Sequence, residues 1–138
     1  MSKNIVPQIS DVYIIDVSKI LPHCETKYCI CITTGINKYF LINSEDRKIY
    51  DTFEISASDY SFLKHNSYVG CSKAHALESS LIVKKIGNLN FNDMSKILEK
   101  IRNSKYIIKP ERETMALELE EWMSNYQENK LKDKFNKK

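Results

Sequence analysis

Short apolar segments with polar ends run through the first 85 residues, and the segment at 52–56 alternates strictly between apolar and polar positions. Short polar stretches separate them, an arrangement typical of antiparallel strands and not of βαβ units. The pattern predicts six strands, at residues 11–17, 28–33, 38–43, 52–56, 68–71 and 80–85. A turn-like tetrad at 34–37 joins the second and third strands as a hairpin, and residues 58–63 predict one helical turn. The predicted fold is mainly β, a small antiparallel barrel or sandwich.

The period changes to that of a helix near residue 90. Residues 90–104 predict an amphipathic helix that opens with Asn90 as the N-cap and an acidic first turn. Its apolar face is formed by Met94, Ile97, Leu98 and Ile101. We expect this face to close one end of the barrel, with residues 106–109 as a last edge strand or an extended link that ends at Pro110.

A second helix is predicted at 111–127, because apolar residues recur there at helical spacing. These are Met115, Leu119, Trp122, Met123 and Tyr126. Trp122 either packs on its own barrel or on a second subunit, or it anchors a partner protein. Residues 129–138 are rich in lysine and predict a frayed tail. The predicted organisation is a barrel domain with its closing helix at 1–110, then a helical extension and Lys-rich tail at 111–138.

Composition excludes several classes of protein. The chain has 138 residues, of which 42% are hydrophobic and 28% are charged. This length and hydrophobic fraction are sufficient for one domain with its own hydrophobic core. No apolar run approaches the roughly 20 residues of a membrane helix, and residues 1–10 lack a signal-peptide core, so we expect a cytoplasmic protein without a membrane partner. The net charge of +3 comes mostly from lysine, which permits an anionic partner without requiring one.

The four cysteines, at positions 24, 29, 31 and 71, do not show the two close pairs of a zinc site. Alternation along a strand places Cys29 and Cys31 on the same face, where both can be small buried side chains. The sequence therefore predicts no metal site and no cofactor.

Polar residues gather at the ends of the predicted strands, at 22–27, 43–48, 64–67 and 72–75. If these loops converge, they supply histidine as an acid or base and lysine or arginine to neutralise a phosphate. Acid–base cleavage of RNA needs those groups. The alternative is that these residues form ordinary polar turns at the surface.

The order of these elements resembles the PemK/MazF-like endoribonuclease toxins. The matching pieces are Asp-Val-Tyr at 11–13, a strand ending Ile-Asn-Ser at 42–44, Ser-Tyr-Val at 67–69 and Lys-Lys-Ile-Gly-Asn-Leu at 84–89 before the acidic-capped helix. The resemblance covers residues 10–104, with Ser10 where the family usually has glycine. For Gly87 we expect a positive φ at a strand-to-helix corner. The resemblance implies an SH3-like barrel, a homodimer, an antitoxin partner and metal-independent cleavage of single-stranded RNA.

The resemblance also implies a site. Lys27 stands where the family has arginine, Asn43-Ser44 stands for its Thr-Ser, and Gly70 and Ser72 occupy positions where some members have an arginine and an acidic residue. The predicted catalytic residues are His23, Lys27, Ser44 and Arg47. The predicted substrate-binding residues are Asn43, Glu45, Tyr68, Lys73 and His75.

Aromatic rings for stacking on RNA bases are offered by Tyr28, Tyr39, Tyr60 and Tyr68. Because the family arginine is missing, a second interpretation stays open. It is a non-catalytic SH3-like module of a mobile-element or phage-defence system that binds RNA or a protein.

Overall fold

An antiparallel sheet and two C-terminal helices make up the described part of the protein. The structure is a computed structural model that describes residues 5–45 and 51–136, with side chains up to residue 132. Within these residues the strands are β1 (Asp11–Asp16), β2 (Thr26–Thr33), β3 (Lys38–Asn43), β4 (Thr52–Ile55), β5 (Ser67–Gly70), β6 (His75–Ala76) and β7 (Ile82–Asn88). The helices are α1 (Phe91–Arg102) and α2 (Lys109–Asn136). The mainly β architecture with helices at the C-terminal end is as predicted.

The strand order is β4-β5-β3-β2-β1-β7, with the short β6 pairing beside β3. Among the described residues, β4 and β7 are the edge strands and do not pair with each other, so hydrogen bonding leaves the sheet open where a closed barrel was predicted. A loop bridges part of this opening. Phe62, between β4 and β5, packs against Gly87 of β7, and the Tyr60 hydroxyl accepts a hydrogen bond of 3.1 Å from the Asn90 amide.

Gly87 has a different role from the one predicted. Its φ is not positive, and a Cβ at this position would lie 2.5 Å from Cδ1 of Phe62. Glycine is therefore required by the close approach of an aromatic ring. The left-handed conformation occurs instead at Ser10, with φ of 79°, and at Asn37 in the β2–β3 turn, with φ of 56°.

Alternation along the strands gives the sheet two buried faces. The face covered by the helices contains Val12, Ile30, Phe40 and Val69 together with Met94, Ile97 and Ile101 of α1 and Met115 and Leu119 of α2. The opposite face contains Tyr13, Ile15, Cys29, Cys31, Tyr39, Leu77 and Ile82. Cys29 and Cys31 thus share a buried face, as predicted, and burial raises the pKa of each thiol to about 12. Both are inert thiols at neutral pH.

The boundaries of the helices differ from the predictions in informative ways. Asn90 caps α1 as predicted, its side chain accepting the Asp93 amide hydrogen at 2.8 Å. Residues 106–109 form no strand, because α2 begins at Lys109 with Pro110 in its first turn, a position that suits proline. The helix continues to Asn136, so the predicted frayed tail is wrong for the backbone of 129–136. Residues 58–63 form turns and no helix.

Trp122 packs within its own chain. Its ring stacks on Phe91 of α1, with centroids 6.4 Å apart, and lies 5.5 Å from the ring of Tyr126. About one turn before Trp122, the Glu118 carboxylate accepts the Gly35 amide hydrogen at 2.8 Å, which ties α2 to the β2–β3 turn. Among the described residues, neither helix has the length and apolar character needed to cross a membrane.

Candidate functional site

A cavity of about 330 Å³ opens on the face of the sheet that the helices do not cover. We call it the Gly70 pocket, and it is lined by Leu21, Leu41, Asn43, Thr52, Gly70, Ser72, Lys73 and His75. Strand register explains how these residues meet. Asn43 of β3 lies opposite Tyr68 of β5, and Thr52 of β4 lies opposite Gly70, so their side chains leave the sheet on one face.

Gly70 creates the space in this pocket. A Cβ built there would lie 3.6 Å from both Asn43 Nδ2 and the Leu41 carbonyl oxygen, which is ordinary contact. A side chain at this position would therefore fit the strand but would project over the Asn43 amide. The absence of one leaves the amide accessible.

Lys27 orients that amide. The Lys27 Nζ donates a hydrogen bond of 2.6 Å to Asn43 Oδ1. Because an ammonium group only donates, the amide oxygen must face Lys27, and the Nδ2 donor is turned towards Gly70. The pair thus presents a fixed hydrogen-bond donor to the pocket beside a positive charge.

His75, held on β6 opposite Tyr39 of β3, supplies a neutral imidazole. Burial lowers the pKa of His75 below its usual range, and the charges of Lys73 and Lys38 lower it further. At neutral pH the ring therefore offers one donor and one acceptor nitrogen. Lys73 is exposed at the mouth of the pocket.

Among the remaining polar contacts, that of Ser72 also favours an anionic ligand. The Ser72 hydroxyl accepts the Asp51 amide hydrogen at 2.8 Å, which leaves its own hydrogen available to a ligand. Glu54 accepts a hydrogen bond of 3.2 Å from the Tyr68 hydroxyl. No described residue that lines the pocket has a carboxylate, so donors and positive charge dominate it.

Two other cavities do not share this character. One, of about 430 Å³ between β4 and α1, is lined by Asp51 and Glu99 as well as lysines. The other, of about 510 Å³ beside α2, is lined by Glu118 and Glu121. Their carboxylates would repel phosphate, which makes the Gly70 pocket the better candidate for an anionic substrate.

A further cavity lies at the same end of β2 and β3, on the face of the sheet where the helices pack. It measures about 430 Å³, and we call it the Tyr28 cavity. Its lining residues are Ile14, Thr26, Lys27, Tyr28, Ile42, Ser44, Phe62, Leu63, Lys64, His65 and Ser67.

The structure brings together five of the residues predicted for the site. Those in or beside the Gly70 pocket are Lys27, Asn43, Tyr68, Lys73 and His75. Ser44 leaves β3 on the opposite side and lines the Tyr28 cavity, and Glu45 is exposed. His23 is exposed on the loop before β2, outside both cavities, and Arg47 lies outside the described residues.

Sequence reasoning misses the role of Gly70 and Ser72, because the resemblance shows them only as departures from the family. A glycine inside a strand weakens the strand, and it often marks a place that a ligand approaches. Gly70, inside the predicted strand at 68–71, was therefore the signal in the sequence that could have revealed the pocket. Among the described residues, no three His, Cys, Asp or Glu side chains gather as a metal site requires.

Comparison with known proteins adds no relative to this description. No family model matches the chain, and no curated protein matches it.

Proposed function

We propose that this protein binds single-stranded RNA and holds a phosphodiester in the Gly70 pocket. The observation that supports the proposal is the set of donors in that pocket: the Asn43 amide fixed by Lys27, the Lys73 ammonium and the Ser72 hydroxyl. Phosphate contacts of this kind supply most of the affinity of nucleic-acid-binding proteins.

Binding is tested by fluorescence anisotropy with a labelled 12-nucleotide RNA of mixed sequence. We expect Lys73→Ala to weaken binding several-fold and to reduce the salt slope by about 0.7 to 1, because one phosphate contact is lost. The matched control is Lys105→Ala, an exposed lysine between the two helices. Equal affinity and equal salt slope in the two variants would refute the pocket as the phosphate site.

A second candidate function, favoured by the neutral His75, is metal-independent cleavage of the bound RNA. A nitrogen of His75 would take the proton of the 2′-hydroxyl while the 2′-oxygen attacks phosphorus. The bond from phosphorus to the 5′-oxygen then breaks, and that oxygen takes a proton from the Lys73 ammonium. The products are a 2′,3′-cyclic phosphate and a 5′-hydroxyl.

Cleavage is tested by incubating the protein with RNA in EDTA. We expect wild-type protein to cut and His75→Ala to lose at least about a hundredfold in rate, the low end for a general base. His23→Ala, which changes an exposed histidine outside both cavities, is the control. RNA that is bound but stays intact would leave the protein as a binding module.

The wider features implied by the resemblance also belong to this proposal: an SH3-like PemK/MazF-like fold, a homodimer, an antitoxin partner and a cytoplasmic location. The left-handed backbone at Ser10, where the family has glycine, supports the kinship. So does α1, which follows β7 after only two residues. Light scattering should give about twice the 16.1 kDa chain mass. A monomer at micromolar concentration would remove the dimer from the proposal.

A further inference from the structure

The Tyr28 cavity has the chemistry of a site for a planar, polar ring. Its walls combine the rings of Tyr28 and Phe62 with the side chains of Ile14 and Ile42, and its rim is polar at Ser44 and Lys64. It takes no part in the phosphate site, although it meets that site at one residue, Lys27.

Tyr28 is held in position and remains accessible. Its ring meets Phe62 edge to face, with centroids 6.2 Å apart, and the residue is 36% exposed. Phe62 is fixed in turn by Tyr60, 5.5 Å away, and by Gly87. An edge-to-face contact uses at most one face of each ring, so Tyr28 keeps a face for a further ring. Tyr39 and Tyr60 are buried and cannot take this role.

The two cavities flank the same strand ends. Asn43 and Ser44 are consecutive in sequence, but Asn43 lines the Gly70 pocket and Ser44 lines the Tyr28 cavity. Lys27 likewise lines the Tyr28 cavity while its ammonium group binds Asn43. A chain that passes over the end of β2 and β3 would therefore contact both sites in succession.

We propose that the Tyr28 cavity is a nucleobase subsite, which takes the base next to the phosphodiester bound in the Gly70 pocket. This inference rests on the proposed RNA binding. The base stacks on Tyr28, with Ser44 and Lys64 available to its polar edge. Because every base has a π-face, stacking of this kind tolerates different sequences.

The subsite is tested with Tyr28→Leu and Tyr28→Phe in anisotropy titrations. Leucine keeps an apolar contact with Phe62 but cannot stack, whereas phenylalanine keeps the ring. We expect Tyr28→Leu to weaken binding of a mixed-sequence RNA at least about fivefold and Tyr28→Phe to bind within about twofold of wild type. Both variants should bind an oligomer of abasic ribose phosphates as wild type does.

Two results would overturn the inference. If Tyr28→Leu binds the mixed-sequence RNA like wild type, and melts at the same temperature, the subsite is absent while RNA binding stands. If Tyr28→Leu weakens the abasic oligomer as much as the intact RNA, Tyr28 acts through the fold and not through a base. Failure of wild-type protein to bind either ligand would instead refute the proposed function, and the subsite with it.

Discussion

At the scale of single residues, a step of one position along a strand decides which face of the sheet carries a side chain. Asn43 faces the Gly70 pocket, and Ser44, one residue later, lines a different cavity. Of the predicted group, Lys27 and Ser44 both line the Tyr28 cavity, whereas His23 lies outside both cavities. His75, Lys73 and the Lys27–Asn43 pair take its place, because register and not sequence proximity gathers them.

Filling the Gly70 pocket should remove binding without harming the fold. In Gly70→Val the added Cβ meets only ordinary contacts at 3.6 Å, and valine suits a strand, so we expect stability to change by no more than about 1 kcal/mol. The γ-methyl groups would occupy the pocket, and RNA affinity should fall at least about tenfold. Thermal melting and anisotropy measure the two quantities. Unchanged affinity would show that RNA binds elsewhere.

Stability should depend on pH through His75. Burial lowers the pKa of His75 below 6.5, so at mildly acidic pH the unfolded chain binds a proton that the folded chain does not. The contribution of His75 to the free energy of unfolding is therefore complete above about pH 6.5. It decreases as the pH falls from 6.5 towards the lowered pKa of the folded state. We expect acidification to lower the melting temperature of wild type more than that of His75→Gln. The exposed His23→Gln variant should follow wild type, and parallel curves for wild type and His75→Gln would contradict this account.

At the scale of elements, the contact between the β4–β5 loop and β7 bridges the two edges of the sheet. The Phe62 ring lies where a Gly87 Cβ would be, 2.5 Å from Cδ1 and 2.8 Å from Cε1. The loop is further attached through Tyr60, whose hydroxyl donates a hydrogen bond to the Asp93 carboxylate of α1. This arrangement gives an open sheet some of the closure of a barrel.

Gly87→Ala should destabilise the protein by about 1–3 kcal/mol, because its methyl group overlaps the ring of Phe62. Leucine at position 62 is smaller than phenylalanine and leaves room for the added methyl group. The double variant Gly87→Ala/Phe62→Leu should therefore recover part of the stability that Gly87→Ala loses. Urea denaturation of the two single variants and the double variant gives the coupling free energy. Additive effects would mean that this contact does not explain the glycine.

The elements that depend on local pattern were predictable from the sequence, and those that depend on distant contacts were not. The strands around Val12, Ile30 and Phe40 are short apolar segments with polar ends, and α1 has its own cap at Asn90. By contrast, β6 has two residues and exists only because it pairs with β3. The reason for Gly87 lies 25 positions away in sequence, at Phe62, and no local pattern could reveal it.

At the scale of the whole molecule, the fold separates its core from its candidate site. Both helices pack on one face of the sheet, with Ile97 and Met115 fully buried there, while the Gly70 pocket opens on the other. A ligand can therefore bind without disturbing the helices. The net charge of +3 is small, so we attribute affinity to the local group of donors and not to the overall field.

The most direct test of this account is an NMR titration of isotope-labelled protein with a single-stranded RNA. We expect the backbone amides of Gly70, Ser72 and Lys73, together with the Asn43 side-chain amide, to shift progressively, while the amides of Met115 and Leu119 in α2 stay in place. Saturating RNA that leaves the Gly70 pocket unshifted, or that shifts only the helices, would contradict the central claim.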